Sequence, residues 1–272
     1  MKNPRLFIII LIFIFSCHNS VNESEVNHFN NDNLVSMINF SVVKQYKHDN
    51  TLFTEGFVFH NNKLYESTGA PEELPQTKTL IGVSDLNTGK FKKVIELDKR
   101  KYFGEGIVFL KSKLYQLTYK NKICFVYDTL NYKISNQFKY NNIEGWGLTS
   151  DGTNIIMSDG TSTITYLNPN DFKVVKSLKV TENGEACKNI NELEFIHGYI
   201  YANVWQTNFI VKINPANGNV LGKLDLSDLY TEAKMNNPNC DVLNGIAYDS
   251  VTNKIYVTGK LWNNIYQIDF EF

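Results

Sequence analysis

Residues that build metal centres and disulfide frameworks are scarce in this sequence of 272 residues. It has four cysteines and five histidines, with no CxxC pair and no cluster that combines the two residue types. We therefore predict no metal ligands in the functional site. The formal net charge is −1, which excludes the basic surface that binding to nucleic acid requires.

Long hydrophobic runs are also absent, with one exception near the N-terminus. Ten consecutive apolar residues, 6–15, follow Lys2 and Arg5. This run is too short to span a bilayer and is typical of a signal peptide. Because a small residue precedes Cys17, we interpret residues 1–16 as a lipoprotein signal peptide and Cys17 as the acylated residue. The alternative is an ordinary secretion signal.

The segment after the signal peptide, residues 17–36, is polar and rich in Asn, Ser and Glu. Such a composition buries little apolar surface, so it predicts a flexible tether. The catalytic domain is then expected over residues 37–272, as a monomer held to the membrane only by its lipid. We expect an exported bacterial lipoprotein facing the periplasm or the cell surface. His18 and Asn19 carry no inner-membrane retention signal, which favours the outer membrane.

One pattern occurs five times along the remaining chain. Each copy opens on a polar or aromatic residue, usually followed by glycine, and continues as a short apolar strand, a turn and a second strand. The opening residues recur at intervals of 41 to 52 residues; they are Glu55, Glu105, Trp146, Glu192 and Asn244. Four short strands per repeat at this period predict an all-β, five-bladed β-propeller. A β-sandwich would not repeat in this way.

The fifth repeat lacks a fourth strand, whereas residues 38–46 form a strand before the first repeat. We predict that this early strand completes the last blade and closes the ring, which removes two exposed sheet edges. Outside the strands, only a short turn is predicted, near residues 226–235.

In a propeller, the loops that lead into the innermost strands meet on one face. The repeats therefore gather several carboxylates, carboxamides and a tryptophan there: Glu55, Glu105, Glu144, Trp146, Asn191, Glu192 and Asn244. Lys260 in the last repeat and Trp205, just past a second strand, are expected beside them. Aromatic walls suit a small substrate that must be desolvated, and a carboxyl in such a pocket suits proton transfer. Periodicity alone does not choose between Glu55 and Glu105.

Several short motifs, in order, resemble the glutaminyl-peptide cyclotransferases of the plant and bacterial type. The motifs are Phe53-Thr-Glu-Gly56, Tyr65-Glu-Ser-Thr-Gly69, Tyr102-Phe-Gly-Glu-Gly106, Glu144-Gly-Trp-Gly-Leu148, Ser158-Asp-Gly-Thr-Ser162, Asn191-Glu-Leu-Glu194, Ala202-Asn-Val-Trp-Gln-Thr207, Asp241-Val-Leu-Asn-Gly-Ile-Ala-Tyr248 and Val257-Thr-Gly-Lys-Leu-Trp262. The resemblance implies a five-bladed propeller that converts the N-terminal glutamine of peptides and proteins to pyroglutamate and releases ammonia.

The resemblance also implies roles for individual residues. Glu105 would be the acid/base, and Asn191 and Lys260 would bind and polarise the substrate carbonyl groups. Trp146 and Trp205 would form an aromatic cage. The remaining substrate-binding positions are Glu55 and Tyr119, the latter standing where the family has tryptophan. No cofactor is required, although some members hold a structural cation in the channel.

Two cysteines occupy equivalent positions in adjacent repeats. Cys187 lies four residues before Asn191, and Cys240 lies four residues before Asn244. In a compartment that permits disulfides, we predict a Cys187–Cys240 disulfide that leaves Cys124 as a free thiol.

Two other functions are compatible with a propeller. The first is a scaffold that binds periplasmic or surface peptides without catalysis, which would be expected to lose at least one of Glu105, Asn191 and Lys260. The second is a lactonase-type or lyase-type enzyme, which would need metal ligands in the channel.

Overall fold

The computed structural model describes residues 35–272. The predicted signal peptide over residues 1–16, the acylated Cys17 and nearly all of the tether lie outside the described residues. Two strands precede the first blade, namely β1 (Ser36–Met37) and β2 (Phe40–Lys47).

The rest of the described chain forms consecutive four-stranded units. Blade one contains β3 (Thr54–His60), β4 (Lys63–Thr68), β5 (Leu80–Ser84) and β6 (Phe91–Glu96). Blade two contains β7 (Gly104–Leu110), β8 (Lys113–Thr118), β9 (Ile123–Asp128) and β10 (Ile134–Lys139). Blade three contains β11 (Leu148–Ser150), β12 (Ile155–Met157), β13 (Thr163–Leu167) and β14 (Val174–Lys179).

A small hairpin separates blade three from blade four, and a helix separates blade four from blade five. The hairpin consists of β15 (Thr181–Glu182) and β16 (Glu185–Ala186). Blade four contains β17 (Ile190–Ile196), β18 (Tyr199–Val204), β19 (Phe209–Ile213) and β20 (Val220–Asp225). After helix α1 (Ser227–Asn236), blade five contributes β21 (Leu243–Asp249), β22 (Lys254–Gly259) and β23 (Asn264–Phe270).

The ring closes as the sequence predicts. Strand β2 pairs antiparallel with β23, from Phe40 opposite Phe270 to Lys47 opposite Asn264, and so supplies the fourth strand of blade five. The four strands of each blade form an antiparallel sheet. The innermost strands, which contact one another around the axis, are β3, β7, β11, β17 and β21. The predicted all-β, five-bladed propeller is therefore confirmed.

Two details differ from the expectation. Strand β1 pairs in parallel with β20, with Ser36 opposite Gly222, so the domain boundary that we predicted at Met37 falls inside a strand. The short turn predicted near residues 226–235 is helix α1, which buries Leu229 and Ala233. Within residues 35–272, no helix combines the length and apolar composition that crossing a bilayer requires.

Glycines let the inner strands approach each other at backbone distance. A Cβ on Gly106 would lie 2.5 Å from the amide nitrogen of Leu148, and one on Gly147 would lie 2.2 Å from the carbonyl oxygen of Asn191. Neither position tolerates a side chain, because backbone atoms cannot yield. The glycines beside the opening residues therefore bring successive blades close enough for those residues to share one site.

The seam where blade five meets blade one contains a buried ion pair. His48, which follows the closing strand, places its Nε2 3.0 Å from a carboxylate oxygen of Glu66 and its Nδ1 2.9 Å from the carbonyl oxygen of Trp262. Both contacts are acceptors, so both ring nitrogens donate and the imidazole is charged. Burial lowers the pKa of His48, but Glu66 and the Trp262 carbonyl outweigh this effect and raise it.

Removing His48 is expected to weaken the fold. His48→Leu leaves Glu66 as a buried carboxylate without its cation, which costs about 3–5 kcal/mol of unfolding free energy in comparable pairs. Because folding raises the pKa of His48, its contribution is complete below the unfolded value of about 6.5 and is lost as the pH rises through the folded value. Denaturant titrations across this pH range measure the difference.

A double variant serves as the control for this prediction. Adding Glu66→Gln to His48→Leu removes the stranded charge. Thr54 and Ser84 donate to different oxygens of Glu66, at 2.7 and 2.8 Å, so one of the two keeps an acceptor and the other faces the amide NH₂, from which its hydroxyl oxygen can accept. We expect the double variant to recover part of the lost stability. Equal unfolding free energies for the wild type and His48→Leu would contradict the assignment.

The predicted Cys187–Cys240 disulfide is not formed. Cys124, Cys187 and Cys240 are buried free thiols, and the last two lie in separate hydrophobic clusters. Cys187 packs against Val180 and Ile190, whereas Cys240 packs with the buried face of helix α1. The helix inserted before blade five redirects its opening loop, so positions equivalent in sequence are not neighbours in space.

Candidate active site

A cavity of about 730 Å³ opens where the loops leading into the inner strands converge. All seven residues that we predicted as catalytic or substrate-binding line it, namely Glu55, Glu105, Tyr119, Trp146, Asn191, Trp205 and Lys260. The propeller thus brings together side chains from all five blades, although they are spread over some 200 residues of sequence.

Glu55 and Lys260 form a buried ion pair in the cavity wall. The Nζ of Lys260 donates a hydrogen bond to Oε1 of Glu55 at 2.7 Å, and the two side chains are 8% and 3% exposed. The same ammonium lies 4.6 Å from the ring centre of Phe53, which favours the charged form through a cation–π contact. An ammonium has three N–H donors, so the bond to Glu55 leaves donors for a ligand.

Glu105 lines the same cavity beside this pair. Burial raises the pKa of Glu105 well above its usual range, and the negative charge of Glu55 raises it further. Burial also raises the pKa of Glu55, to about 7, against the lowering effect of Lys260. Both shifts favour the retention of a proton by the two buried carboxyl groups.

Aromatic rings form one continuous side of the cavity. Trp146 and Trp205 meet edge to face with centroids 5.5 Å apart. Phe103 packs on Tyr119 at 5.8 Å and on Phe53 at 6.3 Å. Such a wall excludes water from a small ligand, and it strengthens polar interactions within the cavity.

Glu144 fixes one member of that wall. It accepts a hydrogen bond from Nε1 of Trp146 at 2.9 Å. Burial and the neighbouring carboxylates, Glu144 among them, raise the pKa of Tyr119 to about 12, so its hydroxyl stays protonated and can donate. Tyr119 therefore adds a hydroxyl donor to the cavity that tryptophan at this position would not supply.

Asn191 also lines the cavity. Its backbone carbonyl accepts a hydrogen bond from Ser158 at 2.6 Å, which fixes the start of β17. Its side-chain Oδ1 is buried and has no hydrogen-bond partner among residues 35–272. This oxygen is an acceptor that suits an N–H of a ligand, whereas the N–H groups of Nδ2 are the donors that suit a carbonyl.

Three residues that we expected at the mouth do not line the cavity, namely Glu144, Glu192 and Asn244. Glu144 instead supports Trp146 through the hydrogen bond described above. Glu192 is fully buried and accepts hydrogen bonds from the backbone amides of Phe57 and Ile246 at 3.1 and 2.8 Å. Asn244 donates to the carbonyl oxygen of Thr54 at 3.0 Å. Both tie blades together around the axis. Glu192 directly follows Asn191, and successive strand residues point to opposite sides.

Sequence reasoning singled out seven of the twenty lining residues, and Phe53, Phe103 and Asp241 are among those that it missed. The first two each stand two residues before an opening glutamate, and that shared spacing was a readable signal. Asp241 opens one of the motifs quoted above, but nothing in its position or residue type predicted that it lines the cavity. Its backbone amide donates to the carbonyl oxygen of Lys260 at 2.9 Å, so it braces the segment that carries the lysine.

The arrangement suits proton transfer in a dehydrated cavity. Two buried carboxyl groups, an ammonium and a carboxamide surround one space that has aromatic walls. Among residues 35–272, no group of three His, Cys, Asp or Glu side chains is arranged to hold a metal ion. Fold and cavity together define a five-bladed β-propeller with a carboxyl-containing cavity at the end of its inner strands.

Comparisons with known proteins specify the class further. The sequence model described as glutamine cyclotransferase matches residues 10–270. A glutaminyl-peptide cyclotransferase of Arabidopsis thaliana is 39% identical over 229 residues, which are 84% of this chain and 70% of the relative. The crystal structure of Myxococcus xanthus glutaminyl cyclase superposes with a TM-score of 0.77 at 29% identity, covering 87% of this chain and 98% of that one. The chain belongs to the glutamine cyclotransferase family, which confirms the resemblance found in its motifs.

Proposed function

We propose that the protein converts N-terminal glutaminyl residues of peptides and proteins to pyroglutamyl residues and releases ammonia, with Glu105 as the acid/base. The observation that carries this proposal is the buried carboxyl of Glu105 in a cavity that also holds Lys260, Asn191 and an aromatic wall; burial raises the pKa of that carboxyl, which suits it to donate a proton. Family membership supports the reaction.

The aromatic wall gives the substrate its reactive conformation. Trp146, Trp205 and Tyr119 enclose the aliphatic part of the glutamine side chain, while the rest of the peptide leaves through the open mouth. In a free peptide, the α-amine only rarely lies close to the side-chain carbonyl carbon. The cavity holds these two groups together in a near-attack geometry. Such positioning supplies a large part of the barrier reduction in cyclisations.

Glu105 then moves two protons. Attack of the neutral α-amine on Cδ of the side-chain amide gives a tetrahedral species with a positively charged ring nitrogen. The amide nitrogen leaves poorly unless it is protonated, and a neutral Glu105 can donate that proton. The resulting carboxylate takes the proton from the ring nitrogen, so Glu105 ends the reaction in its starting form.

Lys260 and Asn191 bind the carbonyl groups of the substrate. Oxygen charge develops at Cδ during the attack, and the N–H donors of Lys260 that are not bonded to Glu55 can stabilise it. The low dielectric of the cavity increases this stabilisation. Because these side chains supply both the proton transfers and the oxyanion donor, the proposed reaction requires no cofactor.

An ammonia-release assay tests the proposal. We expect the purified protein to release one ammonia for each glutaminyl peptide consumed and to reduce the peptide mass by 17 Da, the mass of ammonia. A peptide with N-terminal Asn is the control, because its shorter side chain cannot form the five-membered lactam. Binding of glutaminyl peptides without ammonia release would instead identify a non-catalytic peptide-binding propeller.

We also propose that the catalytic domain is exported as a lipoprotein, with residues 1–16 as signal peptide, Cys17 as the acylated residue and the following polar segment as the tether. The composition of those segments supports this proposal. Metabolic labelling with a fatty-acid analogue tests it, since Cys17→Ser should abolish the label.

A further inference from the structure

The mouth of the cavity carries its exposed cations on one side. They stand on the loop between β6 and β7, which leads into blade two, and on the loop between β8 and β9. The four residues are Lys99, Arg100, Lys101 and Lys120. Blades three and four contribute only two tryptophans and an asparagine to the lining, none of which is charged. The proposed reaction on Glu105 uses none of the four cations.

Burial divides the lining residues into a floor and a rim. Glu55, Glu105, Asn191 and Lys260 form the floor and are at most 6% exposed, whereas the four cations of the rim are exposed. A cavity of about 730 Å³ is of the size that encloses a drug-sized ligand, which is larger than one glutaminyl residue. With the N-terminal glutamine on the floor, the residues that follow it in the peptide therefore pass the rim.

Hydrogen bonds fix the loop that carries three of the rim cations. Nζ of Lys99 donates to two carbonyl oxygens of the β4–β5 loop at 2.6 and 3.1 Å. Nδ2 of Asn121 donates to the carbonyl oxygen of Lys101 at 2.9 Å, which ties the β6–β7 loop to the β8–β9 loop. Arg100 pairs with Asp98, its Nε 3.1 Å from a carboxylate oxygen. Two of the three cations on this loop therefore already have acceptors.

Lys101 and Lys120 are the rim cations that remain for a ligand. Within the described range 35–272, no carboxylate lies at ion-pair distance from either ammonium. Nζ of Lys120 lies 4.7 Å from the ring centre of Tyr119, so this cation lies directly against the aromatic wall. The wall encloses the glutamine side chain in the proposed reaction, which places Lys120 next to the bound substrate.

We propose that Lys101 and Lys120 form a subsite for a carboxylate in the second or third residue of the substrate, so that peptides with Asp or Glu after the N-terminal glutamine are preferred. This inference rests on the proposed function. Each ammonium can donate a charge-assisted hydrogen bond to such a carboxylate. Because the subsite is remote from the reacting Cδ, it binds the ground state and the transition state equally and lowers KM without changing kcat.

Carboxylates on other sides of the mouth offer the opposite preference. Glu72 and Glu73 on the β4–β5 loop and Asp241 before β21 are exposed and line the cavity as well. They would select a basic residue if the peptide crossed their side of the mouth. The contact of Lys120 with Tyr119 favours the cationic side, since it joins a rim charge to the wall that holds the substrate.

A matched pair of peptides tests the subsite. The two begin with Gln-Asp and Gln-Asn and are otherwise identical and uncharged in their side chains. At low ionic strength, we expect kcat/KM to be about 3–10-fold higher for the Gln-Asp peptide, since each exposed ion pair contributes about 1.5- to 5-fold. The difference should lie in KM and should vanish in about 1 M salt, where screening limits charge interactions to about 3 Å. Lys101→Gln/Lys120→Gln should abolish the preference.

The control variant Lys92→Gln/Lys139→Gln removes the same charge from exposed positions of β6 and β10 and should keep the wild-type preference. Equal kcat/KM for the two peptides at low ionic strength would overturn the inference, as would a preference that survives in Lys101→Gln/Lys120→Gln. Faster turnover of a Gln-Lys peptide would assign the mouth to its carboxylates instead. If the wild type releases no ammonia from any peptide, the proposed function fails, and equilibrium binding of the same pair still measures the preference.

Discussion

Glu105→Gln is expected to lower kcat/KM for glutaminyl peptides by about 10²–10⁴-fold, the usual contribution of a general acid/base. Glutamine fills the same volume and can still donate a hydrogen bond. It has no transferable proton, so the leaving nitrogen departs as an unstable anion. Because the aromatic wall and the Glu55–Lys260 pair stay in place, we expect the loss in kcat with KM little changed.

Two controls accompany the Glu105→Gln measurement. Its unfolding free energy should match that of the wild type, since Gln at this site removes a desolvated carboxyl without opening a cavity. Binding of a peptide with N-terminal Glu, which cannot release ammonia, should also be unchanged. A variant with near wild-type kcat would exclude Glu105 as the acid/base and return the choice to Glu55.

The ring of blades could be predicted from the sequence because it rests on local and periodic information. Each blade repeats its strands and turns at a similar interval, so the five opening residues align without any knowledge of contacts. The last repeat lacks a fourth strand, and an additional strand precedes the first repeat. The two observations have the same explanation. Pairing of β2 with β23 is the geometric solution that uses both.

Periodicity placed residues correctly to within one position, which was not sufficient inside the ring. Asn191 faces the cavity, whereas Glu192, which aligns with Glu55 and Glu105, points to the axis and binds backbone amides of two other blades. The pairing of β17 with β18 shifts register between Ile190 and Leu193. The inner hairpins of blades one, two and five shift register at the corresponding point. By strand pairing, Asn191 therefore occupies the position of Glu105, and the repeat alignment was one residue out in blade four.

The electrostatic state of the site also lay beyond the sequence. Glu55 and Glu105 are the same residue type at equivalent positions of their blades, so the sequence gives no reason to assign them different charges. The position of Lys260, at 2.7 Å from Glu55, distinguishes the two carboxyl groups. The lysine favours the ionised form of Glu55, and the negative charge of Glu55 raises the pKa of Glu105.

Lys260→Met is the substitution for which we expect two linked effects. Loss of the ammonium removes the proposed oxyanion donor, and removal of one such donor typically costs about 10²–10³-fold in kcat. It also leaves Glu55 without the cation that opposes burial. The pKa of Glu55 should then rise above its value of about 7 in the wild type, so a step in the pH–rate profile caused by Glu55 should move to higher pH.

The pH profile distinguishes these two effects. If Lys260 acts only on the oxyanion, Lys260→Met lowers kcat equally at every pH, whereas a displaced profile shows that the lysine also sets the charge of Glu55. Lys260→Arg keeps the positive charge but places its N–H donors differently. We expect its pH profile to match that of the wild type, while its kcat stays below the wild-type value. Lys254→Met, on the exposed start of β22 in the same blade, should change neither. Wild-type kcat in Lys260→Met would contradict any catalytic role for the lysine and would leave its pair with Glu55 as a clasp between blades five and one.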